Sequence, residues 1–254
     1  MTRTAILSAL IDEQRGLIAQ LEHPSEVQHA GRRFWCGHLH GQDVVLALSR
    51  IGKVAAATTA TALVEKFQVD RIVFTGVAGG LAPEVRVGDL VLATDFIQHD
   101  FDASPIVPRY EVPLYGRTRF AADATLNTHL LDAATGAFAT LPQWLGADAV
   151  QRHALGQARI HQGLVASGDR FVSVLGESQR LQADLLAHGH TALAVEMEGA
   201  AVAQVCCDYG VPFAAIRTVS DRADATAHAD FTQFVRDVAS HYAEAVLARF
   251  LRLL

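Results

Sequence analysis

The sequence predicts a single α/β domain in which strands and helices alternate along the chain. Apolar runs of strand length are separated by stretches whose apolar residues recur at helical spacing. Half of the 254 residues are hydrophobic and 19 % are charged, so the chain can bury a large core and is not a disordered sequence. No internal repeat or linker-like stretch divides it. Residues 1–254 are therefore expected to form one domain.

The N-terminal half is predicted to contain four strands and two helices. Short apolar runs mark the strands, Gly41-Gln42 marks a hairpin turn, and the second helix is rich in alanine and threonine. In chain order these elements are a strand at residues 5–8, a helix through Leu10, Leu17, Ile18 and Leu21 that ends at His23-Pro24, a hairpin at residues 34–40 and 44–49, a helix at residues 54–67 and a strand at residues 71–75. The last strand leads directly into the glycine-rich sequence 76–80.

The C-terminal half is predicted to contain four further strands and three helices. Residues 100–115 hold three of the seven prolines and are expected to be a long loop, and residues 142–156 a variable excursion. The remaining elements are strands at residues 90–97, 158–166, 192–195 and 213–219, helices at residues 125–137 and 197–209, the latter capped by Gly210, and a long C-terminal helix. The apolar face of that last helix, through Phe231, Phe234, Val235, Val238, Tyr242, Val246 and Phe250, is expected to pack in the core.

Charge and cysteine content argue against several classes of function. Lys and Arg number 21 and Asp and Glu 27, a net charge of −6, so the chain lacks the clustered cations of a nucleic-acid-binding protein. The cysteines Cys36, Cys206 and Cys207 form neither a disulfide framework nor a CxxC zinc pattern. No segment approaches the roughly 20 apolar residues of a membrane span, and the first apolar run is too short for a signal peptide. We expect a soluble cytoplasmic protein with no nucleic-acid or membrane partner.

Polar residues that directly follow predicted strands are the first candidates for a functional site. Ligands of open α/β sheets bind beyond the carboxyl ends of the strands. Four clusters occupy such positions: Asp12-Glu13, Ser167-Gly168-Asp169-Arg170-Phe171, Glu196-Met197-Glu198 and Ser220-Asp221. Carboxylates gathered at one edge can protonate a leaving group, activate water and stabilise a neighbouring positive charge. The clusters are therefore typical of a reaction that passes through a sugar cation.

The same residues also have structural interpretations. A lone carboxylate after a strand is usually a helix N-cap or a solvated chain end. Because capping does not require both Glu196 and Glu198, we favour a functional role for Glu198 and leave Glu196 open. The glycine-rich sequence 76–80 matches neither nucleotide-phosphate loop pattern, so a close backbone approach to a ligand or a neighbouring strand is the favoured explanation.

A metal site is not expected. The His99-Asp100 pair with Asp102 could suggest metal ligation, but no second histidine stands at a ligand spacing. We therefore favour a structural or loop-ordering role for these residues, and we expect neither a metal nor a cofactor.

Five short motifs together resemble those of the methylthioadenosine/S-adenosylhomocysteine nucleosidases, which belong to the purine nucleoside phosphorylase superfamily. They occur in the expected order, span nearly the whole chain and are specific only as a set. The motifs are Ile51-Gly52-Lys53-Val54-Ala55-Ala56, Thr75-Gly76-Val77-Ala78-Gly79-Gly80-Leu81, Ser167-Gly168-Asp169-Arg170-Phe171, Val195-Glu196-Met197-Glu198 and Arg217-Thr218-Val219-Ser220-Asp221. The resemblance implies a nucleoside phosphorylase-like fold, with a central mixed, twisted and partly barrel-like sheet wrapped by helices, and a homodimer.

The resemblance also implies a role for each candidate residue in cleaving the glycosidic bond of a purine nucleoside. Asp221 would protonate purine N7, and Glu13 would position and deprotonate the attacking water, with Arg217 nearby. Glu198 would bind the ribose hydroxyls and Met197 would pack against the sugar. The remaining substrate-binding positions are Phe171, which would stack on adenine, the backbone of Val172, which would recognise its edge, and Glu196, Ser220, Ile51 and Val77.

Phosphorolysis on the same fold is the main alternative to hydrolysis. In bacterial phosphorylases an arginine and a serine hold the phosphate, and the matching positions here are the apolar Phe74 and Val77, which cannot neutralise a buried dianion. Val77 also replaces the serine that usually orients the catalytic aspartate. Arg50 replaces a usual glycine and brings a cation near the site, where it could pair with a carboxylate or bind an anion.

Two further alternatives concern the substrate and the activity itself. A futalosine-type nucleosidase would catalyse the same reaction on a nucleoside with a larger ribose substituent. A nucleoside-binding module would bind the nucleoside without catalysing a reaction. Residues 101–115, which should shape the pocket for the ribose substituent, match the family poorly. Their density of apolar side chains favours contact with a partner's pocket in a homodimer, or else folding onto their own subunit.

Overall fold

The computed structural model describes residues 2–223 and 231–254, without the side chains of Phe231 and Thr232. Within these ranges the chain forms ten strands that belong to one sheet. In chain order they are β1 (Arg3–Ser8), β2 (Glu22–His29), β3 (Arg32–Leu39), β4 (Gln42–Leu48), β5 (Arg71–Gly80), β6 (Leu90–Gln98), β7 (Arg119–Ala121), β8 (Ile160–Ser167), β9 (Ala192–Glu196) and β10 (Phe213–Asp221).

Part of this sheet closes into a barrel. The strand order is β10-β6-β8-β9-β5-β1-β4-β3-β2, and an additional pairing of β10 with β5 closes the first five strands into a ring. Parallel and antiparallel pairs are mixed: β5 runs parallel to β1 and β10 but antiparallel to β9. The predicted mixed, partly barrel-like sheet is confirmed. The closure brings the ends of β9 and β10 against the glycine-rich end of β5, where Val195 and Asp221 both pair with Gly79.

Helices cover the sheet. In the described residues they are α1 (Ile11–Ala19), α2 (Lys53–Glu65), α3 (Ala124–Phe138), α4 (Leu141–Leu145), α5 (Ala147–Arg152), α6 (Leu175–Ala187), α7 (Gly199–Tyr209), α8 (Phe231–Phe234) and α9 (Ser240–Phe250). Asp123 caps α3 by accepting a hydrogen bond from the Leu126 N–H at 2.8 Å. Gly210 ends α7 in the left-handed conformation at φ +65°, as its sequence position predicts.

Two large apolar clusters hold the sheet and helices together. The first lies beneath α2 and α7, where small side chains pack close to the sheet and the rings of Phe96 and Phe213 meet at 5.4 Å. The second lies beneath α1, α3 and α9 and includes the buried Tyr242 and Phe250. Burial of Phe234, Val235, Val238, Tyr242, Val246 and Phe250 confirms the expected core face; the side chain of Phe231 lies outside the described residues.

The structure contains five strands and helices that the sequence pattern does not predict: β2, β7, α4, α5 and α6. Strand β2 is polar and exposed along nearly all its length, with a single aliphatic residue, so it lacks the apolar alternation that marks a strand. Strand β7 has only three residues, and α6 buries only Ser178, Leu181 and Leu185. The excursion at 142–156 contains α4 and α5.

One predicted helix is shorter than expected. Helix α1 ends at Ala19 rather than at His23-Pro24, which lies inside β2. Within residues 2–223 and 231–254, no helix is both long and apolar enough to cross a membrane.

Candidate active site

A cavity of about 180 Å³ opens where the ends of β5, β9 and β10 meet. Its wall contains backbone from the glycine-rich end of β5, side chains from the ends of β9 and β10, and residues from the loops that follow β1, β4, β8 and β9. Nearly all the residues predicted from sequence line it: Ile51, Val77, Phe171, Val172, Glu196, Met197, Glu198, Arg217, Ser220 and Asp221. The structure therefore brings three of the four predicted clusters to one place.

Glu13, from the fourth cluster, lies directly behind the cavity wall. Its Oε2 accepts hydrogen bonds from the backbone N–H groups of Ala9 and Leu10, both at 2.9 Å, and Ala9 and Leu10 themselves line the cavity. Its Oε1 points towards Gly76, where an added Cβ would lie 3.4 Å away. Burial raises the pKa of Glu13 to about 7, although the Leu10 N–H and the Arg217 charge act against that rise. Glu13 is thus suited to accept a proton near neutral pH.

Arg217 and Glu196 form a buried ion pair on the cavity wall. Arg217 Nη2 lies 2.8 Å from Glu196 Oε2, and the two side chains are 1 % and 2 % exposed. The guanidinium also stacks 3.9 Å from the centre of the Phe74 ring. Glu196 further accepts hydrogen bonds from the Gly199 N–H and from the Ser167 hydroxyl. The carboxylate left open between capping and function therefore caps α7 and neutralises Arg217.

Glu198 presents a second carboxyl group to the cavity. Its Oε1 accepts a hydrogen bond from the Gly52 N–H at 2.9 Å, just before α2 begins. Burial and then the charge of Glu196 raise the pKa of Glu198 to about 8. The pKa of Glu198 therefore lies near neutral pH, where an approaching polar ligand can change the protonation state of the carboxyl group.

Asp221 is held at the end of β10 by its neighbours. The Ser220 hydroxyl donates to Asp221 Oδ2 at 2.8 Å, and the Ala223 N–H donates to Oδ1 at 2.7 Å. A Cβ added at Gly79 would lie 3.0 Å from Oδ1. Close backbone approach, the favoured explanation of the glycine-rich sequence, is confirmed here. Ser220 holds the aspartate even though Val77 stands where a serine is usual.

The remaining wall is largely apolar. Phe171 is 40 % exposed at the mouth of the cavity, and Ile51 is 60 % exposed near it, whereas Val172 is buried. Among the described residues, two cations line the cavity, and each has a carboxylate partner: Arg217 pairs with Glu196, and Arg170 pairs with Glu177 at 2.8 Å. The arrangement can therefore bind a flat, largely neutral ligand and supply proton donors and acceptors at both ends.

Arg50 lies elsewhere. The residue is exposed, adopts the left-handed conformation at φ +62°, and donates from Nη2 to the Gly31 carbonyl. Its guanidinium lines a separate small cavity beside Arg32 and Trp35. The expectation that Arg50 pairs with a carboxylate is wrong, because the side chain extends along the β2–β3 turn to a backbone oxygen.

The residues considered for a metal site instead order loops. Asp100 binds Lys53 and the Asp169 N–H, Asp102 binds Ser104, and the His99 ring packs against Gly168. In the parts of the chain that the structure describes, no three His, Cys, Asp or Glu side chains are grouped as they would be around a metal ion. Sequence reasoning missed the bond from Lys53 Nζ to Asp100, because the two residues are distant in sequence, and the bond from the Gly52 N–H to Glu198, because a backbone donor carries no residue-type pattern.

Comparisons with known proteins agree with this geometry. Residues 3–252 match the family model described as the phosphorylase superfamily. The 5'-methylthioadenosine/S-adenosylhomocysteine nucleosidase of Chromohalobacter salexigens is 35 % identical over 254 residues, covering 100 % of this chain and 98 % of that protein. The crystal structure of the nucleosidase of the same name from Neisseria meningitidis, in complex with methylthio-immucillin-A, has 32 % identity and a TM-score of 0.85, with 100 % of both chains covered. The futalosine hydrolase of Helicobacter pylori has 29 % identity and a TM-score of 0.83, covering 100 % and 98 %.

Proposed function

Because the chain belongs to the phosphorylase superfamily and, within it, to the methylthioadenosine/S-adenosylhomocysteine nucleosidases, we propose a role for each carboxylate in and directly behind its cavity. The chain is an N-glycosyl hydrolase. It cleaves the N-glycosidic bond of 5'-methylthioadenosine and S-adenosylhomocysteine and releases adenine. The observation that supports the roles below is that Glu198 and Asp221 line one largely apolar cavity and Glu13 lies directly behind its wall, beside Gly76.

Asp221 is the general acid. It donates its proton to purine N7 as the bond between C1' and N9 breaks, so that adenine leaves as a neutral molecule. The Ser220 hydroxyl and the Ala223 N–H fix the orientation of the carboxyl group. Phe171 stacks on the base and the backbone of Val172 recognises its edge.

Glu13 is the general base. It takes a proton from the water that attacks C1', and the products are adenine and the free 5-substituted ribose. The buried Oε1 provides the acceptor while Oε2 stays bonded to Ala9 and Leu10. Arg217 stabilises the ionised form of Glu13, and both side chains lie close to Gly76, since a Cβ added there would be 3.4 Å from Glu13 Oε1 and 3.8 Å from Arg217 Nη1.

Glu198 binds the ribose hydroxyls, and in its ionised form it places negative charge beside the developing sugar cation. Met197 packs against the sugar, and Ile51 and Val77 complete the wall. Glu196 acts on the substrate only indirectly, because its carboxylate oxygens already accept hydrogen bonds from Arg217 and from the first N–H of α7.

Water is the nucleophile rather than phosphate. Among the described residues that line the cavity, Arg170 and Arg217 are both neutralised, and the positions that would hold phosphate are Phe74 and Val77. Burying a phosphate dianion without a free cation is costly. The similarity to a futalosine hydrolase keeps a larger ribose substituent as the second candidate substrate.

The chain also carries features of a homodimer. In the segment 101–115, Tyr110 and Val112 are buried against their own subunit, whereas Ile106 and Leu114 are almost fully exposed. Val54, near the cavity mouth, is 79 % exposed. We propose that Ile106 and Leu114 contact the mouth of a partner subunit's cavity. We also propose that residues 1–254 form one domain. The enzyme then acts in the cytoplasm, in methionine salvage.

Product analysis tests the reaction. Methylthioadenosine is incubated with the enzyme, with and without inorganic phosphate and with a chelator. Free 5-methylthioribose at equal rates in all three samples supports the proposal. A sugar phosphate product, a strict need for phosphate or no adenine release would contradict it, and futalosine assayed in parallel identifies the second candidate.

A further inference from the structure

Three chain segments around the cavity mouth are tied together by a small polar network. The segments are the end of β6 with Asp100, the start of α2 with Gly52 and Lys53, and the loop 167–172 that carries Phe171. Two of them bear directly on the site: the loop supplies Phe171, and the start of α2 supplies the Gly52 N–H that binds Glu198. The third supplies none of the cavity lining.

Asp100 uses both of its oxygens to join the other two segments. Oδ1 accepts a hydrogen bond from Lys53 Nζ, and Oδ2 accepts one from the Asp169 N–H at 2.8 Å. Asp169 Oδ1 in turn accepts a hydrogen bond from the Lys53 N–H at 2.7 Å. Every member therefore contacts the other two, and the ring of contacts fixes the loop against the first turn of α2.

The surroundings support this network. The Lys53 side chain is only 15 % exposed and that of Asp100 31 % exposed, and Lys53 Nζ also donates to Gln98 Oε1 at 3.2 Å. The hydrogen bonds from Lys53 and from the Asp169 N–H outweigh burial and hold the pKa of Asp100 below its usual value. The His99 ring lies so close to Gly168 that a Cβ there would be 2.2 Å from Nε2.

We propose that Asp100, acting through Lys53 and Asp169, is a positioning residue that sets the Phe171 loop relative to Glu198, so that the base and the ribose of one nucleoside are bound together. The inference rests on the proposed function of Phe171 and Glu198. It assigns a role to a residue that touches no part of the substrate. Asp100 therefore affects substrate binding more than bond cleavage, because Phe171 and Glu198 hold the nucleoside before and during that cleavage.

The variant Asp100→Asn tests the proposal. An amide keeps the size of the side chain but has one acceptor oxygen, so its NH2 group must face either Lys53 Nζ or the Asp169 N–H. We expect KM for methylthioadenosine to rise about tenfold, the size typical of a lost charge-assisted hydrogen bond, while kcat changes less than about threefold. Lys53→Met, which removes only the ammonium group, should produce the same change.

Asp43→Asn is the matched control, since Asp43 also pairs with a cation, Arg3 at 2.9 Å, and does not line the cavity. It should leave KM unchanged. The double variant Asp100→Asn/Asp169→Asn should raise KM by a factor smaller than the product of the factors measured for the two single variants, because both residues belong to one network. Wild-type KM in folded Asp100→Asn and Lys53→Met, with only the melting temperature lowered, would overturn the proposal.

Adenine binding by calorimetry separates this proposal from the proposed function. The dissociation constant of adenine should rise in Asp100→Asn and Lys53→Met, and this measurement needs no turnover. If the wild-type protein releases no adenine from methylthioadenosine, the proposed function fails while adenine binding still decides the positioning role. If Asp100→Asn does not fold, Lys53→Met decides it.

Discussion

Arg217 Nη2 lies 2.8 Å from Glu196 Oε2 in a pair that is almost completely removed from solvent. The pair places a carboxylate between the guanidinium and the start of α7, so Arg217 adds little net positive charge to the cavity. Two carboxyl groups nearby, those of Glu13 and Glu198, keep raised pKa values in spite of this arginine.

The first prediction concerns this pair. Glu196→Gln leaves Arg217 buried without a counter-charge, and removing one partner of a buried pair typically costs about 3–5 kcal/mol. The free energy of unfolding in urea should fall by about that amount. Glu26→Gln, which changes an exposed carboxylate 4.0 Å from Arg33, is the control and should have little effect. Equal stability of the two variants would show that the buried pair is not needed for folding.

The second prediction concerns Asp221. Asp221→Asn preserves shape but has no proton to donate, so kcat for methylthioadenosine should fall about 10²-fold or more while the circular dichroism spectrum stays that of the wild type. Ser220→Ala, which removes only one orienting hydrogen bond, should lose less. Turnover of Asp221→Asn close to that of the wild type would disprove the general-acid role.

The third prediction concerns Glu13. Because its contribution arises mainly in the transition state, Glu13→Gln should lower kcat and leave KM nearly unchanged. The free enzyme should gain activity as pH rises through about 7, where Glu13 ionises, and this rise should be absent from the residual activity of the variant. A raised KM with normal kcat would instead identify Glu13 as a binding residue.

The fourth prediction concerns stability and pH. Glu13 and Glu198 have pKa values raised from 4.5 to about 7 and about 8, so the folded protein retains protons that the unfolded chain releases. Their contribution to stability is complete below pH 4.5 and declines as pH rises towards 8. The melting temperature should decrease over this interval, and Glu198→Gln should reduce the slope. A slope unchanged in that variant would contradict the raised pKa of Glu198.

The fifth prediction concerns the homodimer. An apolar, obligate contact should bury more than about 2,000 Å² in total and persist at micromolar concentration. Leu114→Glu, at a fully exposed apolar position, should shift the mass measured by light scattering towards the monomer and raise KM. Arg117→Glu, also exposed in the same region, is a control for the change of charge. A fully active wild-type monomer would rule out a partner's contribution.

Sequence alone predicts most of the sheet because its buried strands have a clear physical signature. Strand β1 has the apolar residues Ala5, Ile6 and Leu7 in succession, and such runs are typical of strands covered on both faces. Strand β2 is an exposed edge strand whose pairing with β3, rather than its composition, determines its conformation. Composition could therefore not reveal it.

In the candidate site too, the sequence predicts some features and not others. Asp221, Glu198 and Phe171 follow strands and are found by position and motif, and the structure places them around one cavity. The closed ring of β5, β10, β6, β8 and β9 depends on long-range pairing, which a single sequence does not encode locally. The polar network of Lys53, Asp100 and Asp169 depends on that closure too, since its members are distant in sequence.

The glycines at 76 and 79 also determine how this enzyme can be altered. A Cβ added at Gly79 would lie 3.0 Å from Asp221 Oδ1, closer than an ordinary contact, whereas a Cβ added at Gly76 would meet Glu13 Oε1 at 3.4 Å, an ordinary van der Waals distance. A library designed to change the accepted nucleoside should therefore leave β5 untouched. Diversity belongs at Ile51, whose side chain lines the cavity, is 60 % exposed and contacts neither the acid nor the base.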